Sequence, residues 1–543
     1  MATVFVDAAL GDDARSYAQA QSAATPWATP YRVNSAATAA DTASIVSGIY
    51  NADGSAAYGT NTFHSFSKAI IYDAANDGGV VFRNTGTTNP VGNISGSLAN
   101  GSVLTFDGIV FDAQSATQQC FANSDMVANA WTVSWTDCSF INPTTRCLLL
   151  SALKIGTFTT TRCTFSGSPS SNGVEGSAGT LAASGAVSVT HNYPIFDLTR
   201  NGTVFGITQD ASAAVGTLTY AVNNPSGTVE TTSAASAAAG VYLRCPGASV
   251  NGYSTSPLTI ISPAASSSEC FGVYLYPNAV NMPDVSIKNT WGEFDCPAGH
   301  AASFGNSTTV AAGTQTGGEV SGNNWRGRYF ASGTPHGITV GRATSIATHS
   351  GNTLREFYIG FLASRTTSGT GRGNVARDNY GADFYAKGCT AWTWEGNTAI
   401  QTGKYARRNL APFSIDSQGG TTTTATTFNA NTFICSEADF TRVGALANIT
   451  VNNSGTMTNN TYIVPDTWDT DTTDRFFVGG SEGGRAGATG YTIDEWITGT
   501  AGSVSATNGT GTISISGDKV IRMPIAQINA LIAGGSALYR RRR

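Results

Sequence analysis

Charge is what this 543-residue chain has least of. Asp, Glu, Lys and Arg make up 12% of it, about half the usual share of roughly 25%. The net charge is only −5 while 41% of residues are hydrophobic, which is not the composition of a disordered chain. Apart from the terminal run Arg540–Arg543, which suits a solubilising or docking tail, no basic face exists that would neutralise phosphates, and nucleic acid is not an expected partner. No window approaches the roughly 18 uninterrupted apolar residues of a membrane span, so insertion is not expected either. The opening M-A-T-V-F-V-D lacks the basic and apolar regions of a secretory signal. It reads as a first strand, which implies folding in a cytoplasm or a signal already removed.

Other absences narrow the chemistry. None of the nine cysteines forms a C-x-x-C pair, which argues against structural zinc and thioredoxin-type redox work. Their alternation with apolar residues, as in Cys138-x-Phe140 and Cys163-x-Phe165, reads as buried free thiols. The histidines His64, His191, His300, His336 and His349 match no metal spacing, and are expected to be solvated or in the core. The acidic run Asp466, Asp469, Asp471, Asp474 lacks the glycine of an EF-hand and reads as a solvated turn. There is no nucleophile elbow, P-loop or dinucleotide fingerprint. No metal and no cofactor is expected.

What is present is repetition. Convincing long helices are missing, and short strand signals recur between clusters of Gly, Asn, Asp and Ser. Ile109 and Phe111 share a face, and Cys138-Ser139-Phe140 and Cys163-Thr164-Phe165 repeat the spacing 29 and then 25 residues on. Farther along, Gly322-Asn323, Gly351-Asn352, Gly373-Asn374 and Gly396-Asn397 place asparagines 29, 22 and 23 residues apart, and Asn431 and Asn453 are again 22 apart. Such a period suits one turn of a parallel β-helix, three short strands and three bends. Leucine-rich repeats share part of the range, but their Leu and Asn template is missing. Asparagine at a fixed bend tolerates left-handed geometry and can hydrogen-bond its counterpart in the next coil. With coils about 4.8 Å apart, roughly 15 of them would build a rod of about 70 Å. The fold class expected is all-β, a right-handed parallel β-helix solenoid.

Solenoid ends need caps. Residues 1–50 are expected to form an opening coil and cap with a short helix between Tyr31 and Ala40, and 51–499 the β-helix, with 166–260 the least legible stretch. Residues 500–543 read as a separate small element, a cap or subunit contact. It comprises a hairpin around Gly517-Asp518 and, after Pro524, a helix with Ile525, Ile528 and Leu531 on one stripe. Thr492-Ile493-Asp494-Glu495-Trp496 has the form of a helix start.

The opening F-V-D…G-D-D…P-W-A-T…D-T and the segment Gly490-Tyr491-Thr492 through Trp496 resemble the first and closing segments of the pectate-lyase-like superfamily of right-handed β-helix proteins. Their members include polysaccharide lyases, glycoside hydrolases and phage tailspikes. The missing signal and the free thiols make the tailspike and tail-fibre group closest in character, although such proteins usually begin with a virion-binding domain and this chain enters its first strand at once. The resemblance implies a homotrimer in a virion assembled in the host cytoplasm, in contact with other tail proteins; an extracellular location is the alternative.

Chemistry is expected in columns up the wall. Counting three residues on from Asn323, Asn352 and Asn374 gives Arg326, Arg355 and Arg377; six on gives Tyr329, Tyr358 and Tyr380; Glu356 and Asp378 stand between. The next coil breaks the pattern with Ile400. Arginine forks and tyrosine faces suit a saccharide groove. Glu356 and Asp378, on adjacent coils about 5 Å apart, approach the separation of a retaining glycosidase pair. Alternatively the acids simply neutralise the arginines while the tyrosines pack under a loop. Trp291 with Glu293 and Asp295 is a further sugar-binding candidate, and Asp383, Trp392, Trp394 and Glu395 extend the same aromatic and acidic character. The function expected is a tail spike or fibre that binds host cell-surface polysaccharide. A depolymerase acting through Glu356 and Asp378 is one alternative, and a structural virion component without glycan binding is another.

Overall fold

Strands of two to eight residues separated by tight bends succeed one another along the chain. In the computed structural model, strands pair in parallel with their counterparts one turn later, three strands to a turn, with one antiparallel pair, Phe477–Gly480 with Thr489–Tyr491, and the chain is an all-β parallel β-helix. The structure describes residues 1–53, 63–84, 89–94, 98–114, 119–123, 130–151, 155–167, 172–177, 186–210, 217–245, 247–252, 256–263, 266, 268–275, 285–305, 315–341, 343–408, 410–416, 423–443, 446–450, 453–468, 477–480, 489–491 and 513–540. Two compact units divide it, Met1–Asn278 and Ala279–Arg543.

In the N-terminal unit, the acidic residues of the opening motif hold the cap together. The Asp13 carboxylate accepts from the backbone N–H of Ala28 and Thr29 and from the Thr29 hydroxyl. Asp41 accepts from the N–H groups of Ala2 and Thr38 and from the Tyr17 hydroxyl. The helix spans Pro30–Ala36, starting one residue before the expected Tyr31 and ending well before Ala40. Thr29 caps it through the Arg32 N–H, Pro30 supplies the fixed φ of the first turn, and Ala37 leaves it in an extended conformation.

Behind this cap the alternation of each strand aligns identical residue types. Phe82, Phe111, Phe140, Phe165 and Phe196 are successive register partners. Phe111, Phe140 and Phe165 stack at centroid separations of 5.3 Å per step. Each buried ring contributes roughly 1.5–3 kcal/mol through burial, and each stacked pair about 0.5–1.5 kcal/mol more. Strands continue through the least legible stretch, for example Ala186–Asn192, Thr217–Asn223 and Gly247–Asn251, which are register partners. All nine cysteines are free and buried, as the alternation implied.

In the C-terminal unit the asparagines form a buried ladder. Asn323, Asn352, Asn374, Asn397, Asn431 and Asn460 each donate one Nδ2 proton to the Oδ1 of the next member, at 2.8–3.0 Å. The other proton goes to a backbone carbonyl of the preceding coil, such as Val320 O for Asn352 and Trp394 O for Asn431. Each Oδ1 also accepts the backbone N–H of the residue below it in the ladder. The last acceptor is Asp518, which needs no donor because no further asparagine follows, and it also accepts from Tyr462. Asn453 is not a rung; its Oδ1 accepts from the Thr423 N–H, and the rung after Asn431 is Asn460. The residue before each rung takes the left-handed bend, Gly351, Gly373 and Gly396 among them. At the equivalent corner of the N-terminal unit, Asp137 and Arg162 take that conformation. Cys138 and Cys163 follow them, donating to Phe106 O and Trp135 O of the preceding coil.

Near the C-terminus two expectations are corrected. Ile513–Ser516 and Lys519–Met523 do not form a hairpin; they pair in parallel with Gly455–Thr458 and Thr461–Pro465, with Gly517-Asp518 as one more corner of the spiral. The helix spans Ile525–Arg540, but its buried stripe is Ile528 and Ile532, with Leu531 exposed. The stripe packs on Val375, Ile400, Ile434 and Ile463, and a four-residue step keeps both isoleucines on one helix face. Thr492–Trp496, Asp469, Asp471, Asp474 and Arg541–Arg543 lie outside the described residues.

Candidate functional site

One sheet of the C-terminal unit carries the strands Trp291–Asp295, Asn324–Gly327, Thr353–Arg355 and Val375–Arg377 on successive turns. Their registers put Glu293, Arg326, Arg355 and Arg377 in a single outward column. Glu356 and Asp378 follow at the next bend, both left-handed at φ 67° and 51°. That conformation is uncommon for residues with a side chain, and carboxylate bonding holds it here. Asp378 accepts from the Thr402 N–H and hydroxyl at 2.7 and 2.9 Å, and lies 3.3 Å from Arg377 Nε. Glu356 accepts from Arg326 Nε at 3.2 Å, Lys404 Nζ at 2.8 Å and the Tyr405 hydroxyl at 2.9 Å. The two acids therefore stand one register step apart but serve different partners.

Two longer connections build the rest. Residues 328–333 follow the strand Asn324–Gly327, and 402–412 follow the strand Thr398–Gln401. They meet where Arg408 donates to Phe330 O and Gly333 O, and Tyr405 stacks on Tyr329 at 4.8 Å and 7°. The second connection is fixed from below by Arg407, whose guanidinium is fully buried against Asp383 and Gly381 O. Tyr405 and Lys404 thus return to Glu356 across 49 and 48 positions of sequence, beyond any repeat count. An open cleft of about 310 Å³ results, lined by Glu293, Phe294, Asp295, Arg326, Gly327, Arg328, Glu356 and Tyr405. Arg328 pairs with Asp295, its Nη1 donating to both carboxylate oxygens at 2.9 and 3.1 Å.

Burial opposes ionisation of Glu356, but hydrogen bonds from Lys404 and Tyr405 and the charges of Arg326 and Lys404 outweigh it and hold this carboxyl below the ordinary glutamate range. Glu356 is a fixed anion at neutral pH, suited to orienting cations and hydroxyls and unsuited to donating a proton.

The tyrosine column is not the open platform expected from its spacing. Tyr380 is fully buried, its hydroxyl between the Phe330 N–H and Arg328 O. Tyr358 carries the Arg408 guanidinium over its face at 4.9 Å. Tyr405 lines the cleft, and Tyr329, on which it stacks, is 38% exposed. Trp291 shares the strand of Glu293 and Asp295 but lies outside the cleft lining. Trp392 and Trp394 are core residues with no exposure, Asp383 is consumed by Arg407, and Glu395 pairs with Arg372. Of the histidines, His64, His191, His300 and His349 are buried, and among the described residues no group of three His, Cys, Asp or Glu is placed to hold a metal ion.

No protein-family model and no curated protein matches the chain. Among solved structures, it is similar to the GH136 lacto-N-biosidase from Eubacterium ramulus, at 10% identity over 96% of this chain and 68% of that one, with a TM-score of 0.24. The mannuronan C-5 epimerase AlgE6 A-module from Azotobacter vinelandii aligns at 11% identity over 91% and 95%, TM-score 0.27. A rhamnogalacturonan lyase aligns at 12% identity over 92% and 90%, TM-score 0.16. Likeness this distant leaves function to the site.

Proposed function

We propose that the wall around Arg326, Arg355 and Arg377 binds a cell-surface polysaccharide, and that the protein serves as the glycan-gripping part of a phage tail spike or fibre. The observation that carries the reading is the cleft at Arg326, where fixed guanidinium and carboxylate groups lie next to Tyr405, whose ring stacks on Tyr329. Sugars present hydroxyls at their rims and apolar faces between, so a binding wall needs directional polar groups next to flat aromatic surface. Binding without cleavage is favoured over depolymerisation, because Glu356 is held ionised by three donors and Asp378 is engaged by Thr402 and Arg377. A homotrimer in contact with other virion tail proteins is part of the same proposal.

An array of bacterial capsular and O-antigen polysaccharides tests it. The protein is expected to retain a small set of glycans, to lose them when Arg326 and Tyr405 are both replaced by Ala, and to release no reducing ends. Retention of no glycan would overturn the reading; steady release of reducing ends would replace binding by cleavage. The mass of the purified protein tests the trimer.

A further inference from the structure

Within the arginine column the three guanidinium groups are not equivalent. Arg326 lies 3.2 Å from a Glu356 oxygen and Arg377 3.3 Å from an Asp378 oxygen. Arg355 stands between them in register, yet among the described residues it forms no ion pair, and its Nε is buried without a hydrogen-bond partner. A buried donor left unpaired is costly, and the cost is larger beside like charges. The other charges on this face are nearly spent. Arg328 is neutralised by Asp295. The remaining cations Arg326, Arg355, Arg377, Lys404 and Arg408 stand against the carboxylates Glu293, Glu356 and Asp378, which leaves an excess of two positive charges. Glu293, the one carboxylate without an ion pair in this group, is exposed and stands two register steps from Arg355, with Arg326 between them.

We infer that Arg355 anchors the carboxylate of an acidic sugar, so that the polysaccharide held here carries uronate or sialate units. This rests on the reading of the wall as glycan-binding and narrows it to a substrate class. A planar carboxylate matches the guanidinium fork with two parallel hydrogen bonds and one unit of charge. The neighbouring arginines, one coil or about 4.8 Å away on either side, are already committed to protein carboxylates, so the site selects for an acid at one position of the glycan repeat.

Equilibrium binding to polymannuronate, polygalacturonate, hyaluronan and polysialic acid, each intact and with its carboxyl groups reduced to alcohols, tests the inference. At least one intact polymer is expected to bind, and to lose about tenfold or more in affinity on reduction, as one charge-assisted two-pronged contact implies. Arg355→Gln is expected to cause the same loss for the intact polymer and none for the reduced one, with an unfolding temperature equal to or above that of the parent, and Arg355→Lys to restore part of the affinity. Equal binding of intact and reduced polymer would overturn the role of Arg355 while leaving the glycan wall standing. If none of the four acidic polymers binds while the array retains neutral glycans, the acidic class is wrong; if nothing binds anywhere, both readings fall together.

Discussion

Arg377 and Ile400 are register partners on neighbouring strands, and the outward column changes character between them. Before this step it reads Glu293, Arg326, Arg355, Arg377; after it, Ile400, Ile434, Ile463 and Ile521. The cause is the helix Ile525–Arg540, which lays Ile528 and Ile532 on Val375, Ile400, Ile434 and Ile463. The helix covers Ile400, Ile434 and Ile463 and leaves the charged stretch of the column uncovered.

Replacing Ile528, which has no exposure, by Ala is therefore expected to destabilise the C-terminal unit by about 2–4 kcal/mol, within the range for truncating a buried isoleucine. Deleting residues 525–543 is expected to bare the isoleucines and raise both dye binding and self-association. Thermal unfolding and light scattering check this. A deletion variant as stable and as monodisperse as the parent would show that the helix contributes no cover.

The asparagine ladder makes a sharper prediction. Asn374→Ala removes the acceptor of Asn352 Nδ2 and of the Asn352 N–H, and leaves Asn397 Oδ1 with fewer donors. Orphaned buried groups cost about 1–3 kcal/mol each, so a loss of roughly 3 kcal/mol is expected in denaturant titration. Asn374→Asp keeps the acceptor but loses the donor and introduces a buried charge, and it is expected to be as damaging at neutral pH and less so in acid. At Asp518 the reverse change is expected to be milder: Asp518→Asn keeps Oδ1 as the acceptor for the Asn460 N–H and Nδ2 and removes a buried charge, and the Tyr462 hydroxyl, which donates to Asp518 Oδ2, can turn to accept from the new amide.

How much of this was legible from residues alone follows from what repeats. Period and alternation are local, so the spiral, the buried thiols and the Arg326, Arg355, Arg377 column could be read by counting. Cys138 and Cys163 stood in plain view as repeats, but only the shared hydrogen bond to the previous coil shows that they occupy the asparagine corner. Lys404, Tyr405 and Arg408 were not legible, because a connection of eleven residues that folds back over earlier coils obeys no period. The signal, visible afterwards, is that the bend after Gln401 is far longer than those after Arg355 and Arg377. The hairpin around Gly517 was misread for the opposite reason: a glycine corner between two short strands has the same sequence signature whether the chain reverses or spirals on.

Burial of His191 sets a pH dependence. Its ring lies between the Thr160 hydroxyl at 2.7 Å and the Tyr220 hydroxyl at 2.9 Å, and burial pushes its pKa down to about 3. The unfolded chain takes up this proton near pH 6.5, the folded chain only near pH 3, so stability falls as the pH is lowered between those values and the loss is complete below the folded pKa. One such group contributes a slope of at most about 1.4 kcal/mol per pH unit. His64, His300 and His349, each pushed down to about 4 by burial, add to the same limb. His191→Gln is expected to lower stability at pH 7 and to flatten the limb between pH 6.5 and 3; an unchanged slope in denaturant titrations across that range would show that His191 is not charged on unfolding.

The Arg407 and Asp383 pair links stability to the cleft. Both side chains have no exposure, and burial pushes the Asp383 carboxyl up against the opposing pull of Arg407. Asp383 also accepts from Asn379, whose own Oδ1 takes the Phe357 N–H next to Glu356. Arg407→Met strands a buried carboxylate, a loss of about 3–5 kcal/mol at neutral pH that protonation relieves as the pH falls. Asp383→Asn strands the guanidinium and gives no such relief. The double variant, with no buried charge left, is expected to recover most of the stability. It does not restore the anchor of residues 402–412, so Tyr405 loses its fixed place on Tyr329 and on Glu356. Glycan affinity should therefore stay reduced in the double variant even where its unfolding temperature returns to that of the parent, and a return of both together would separate this buried pair from the binding wall.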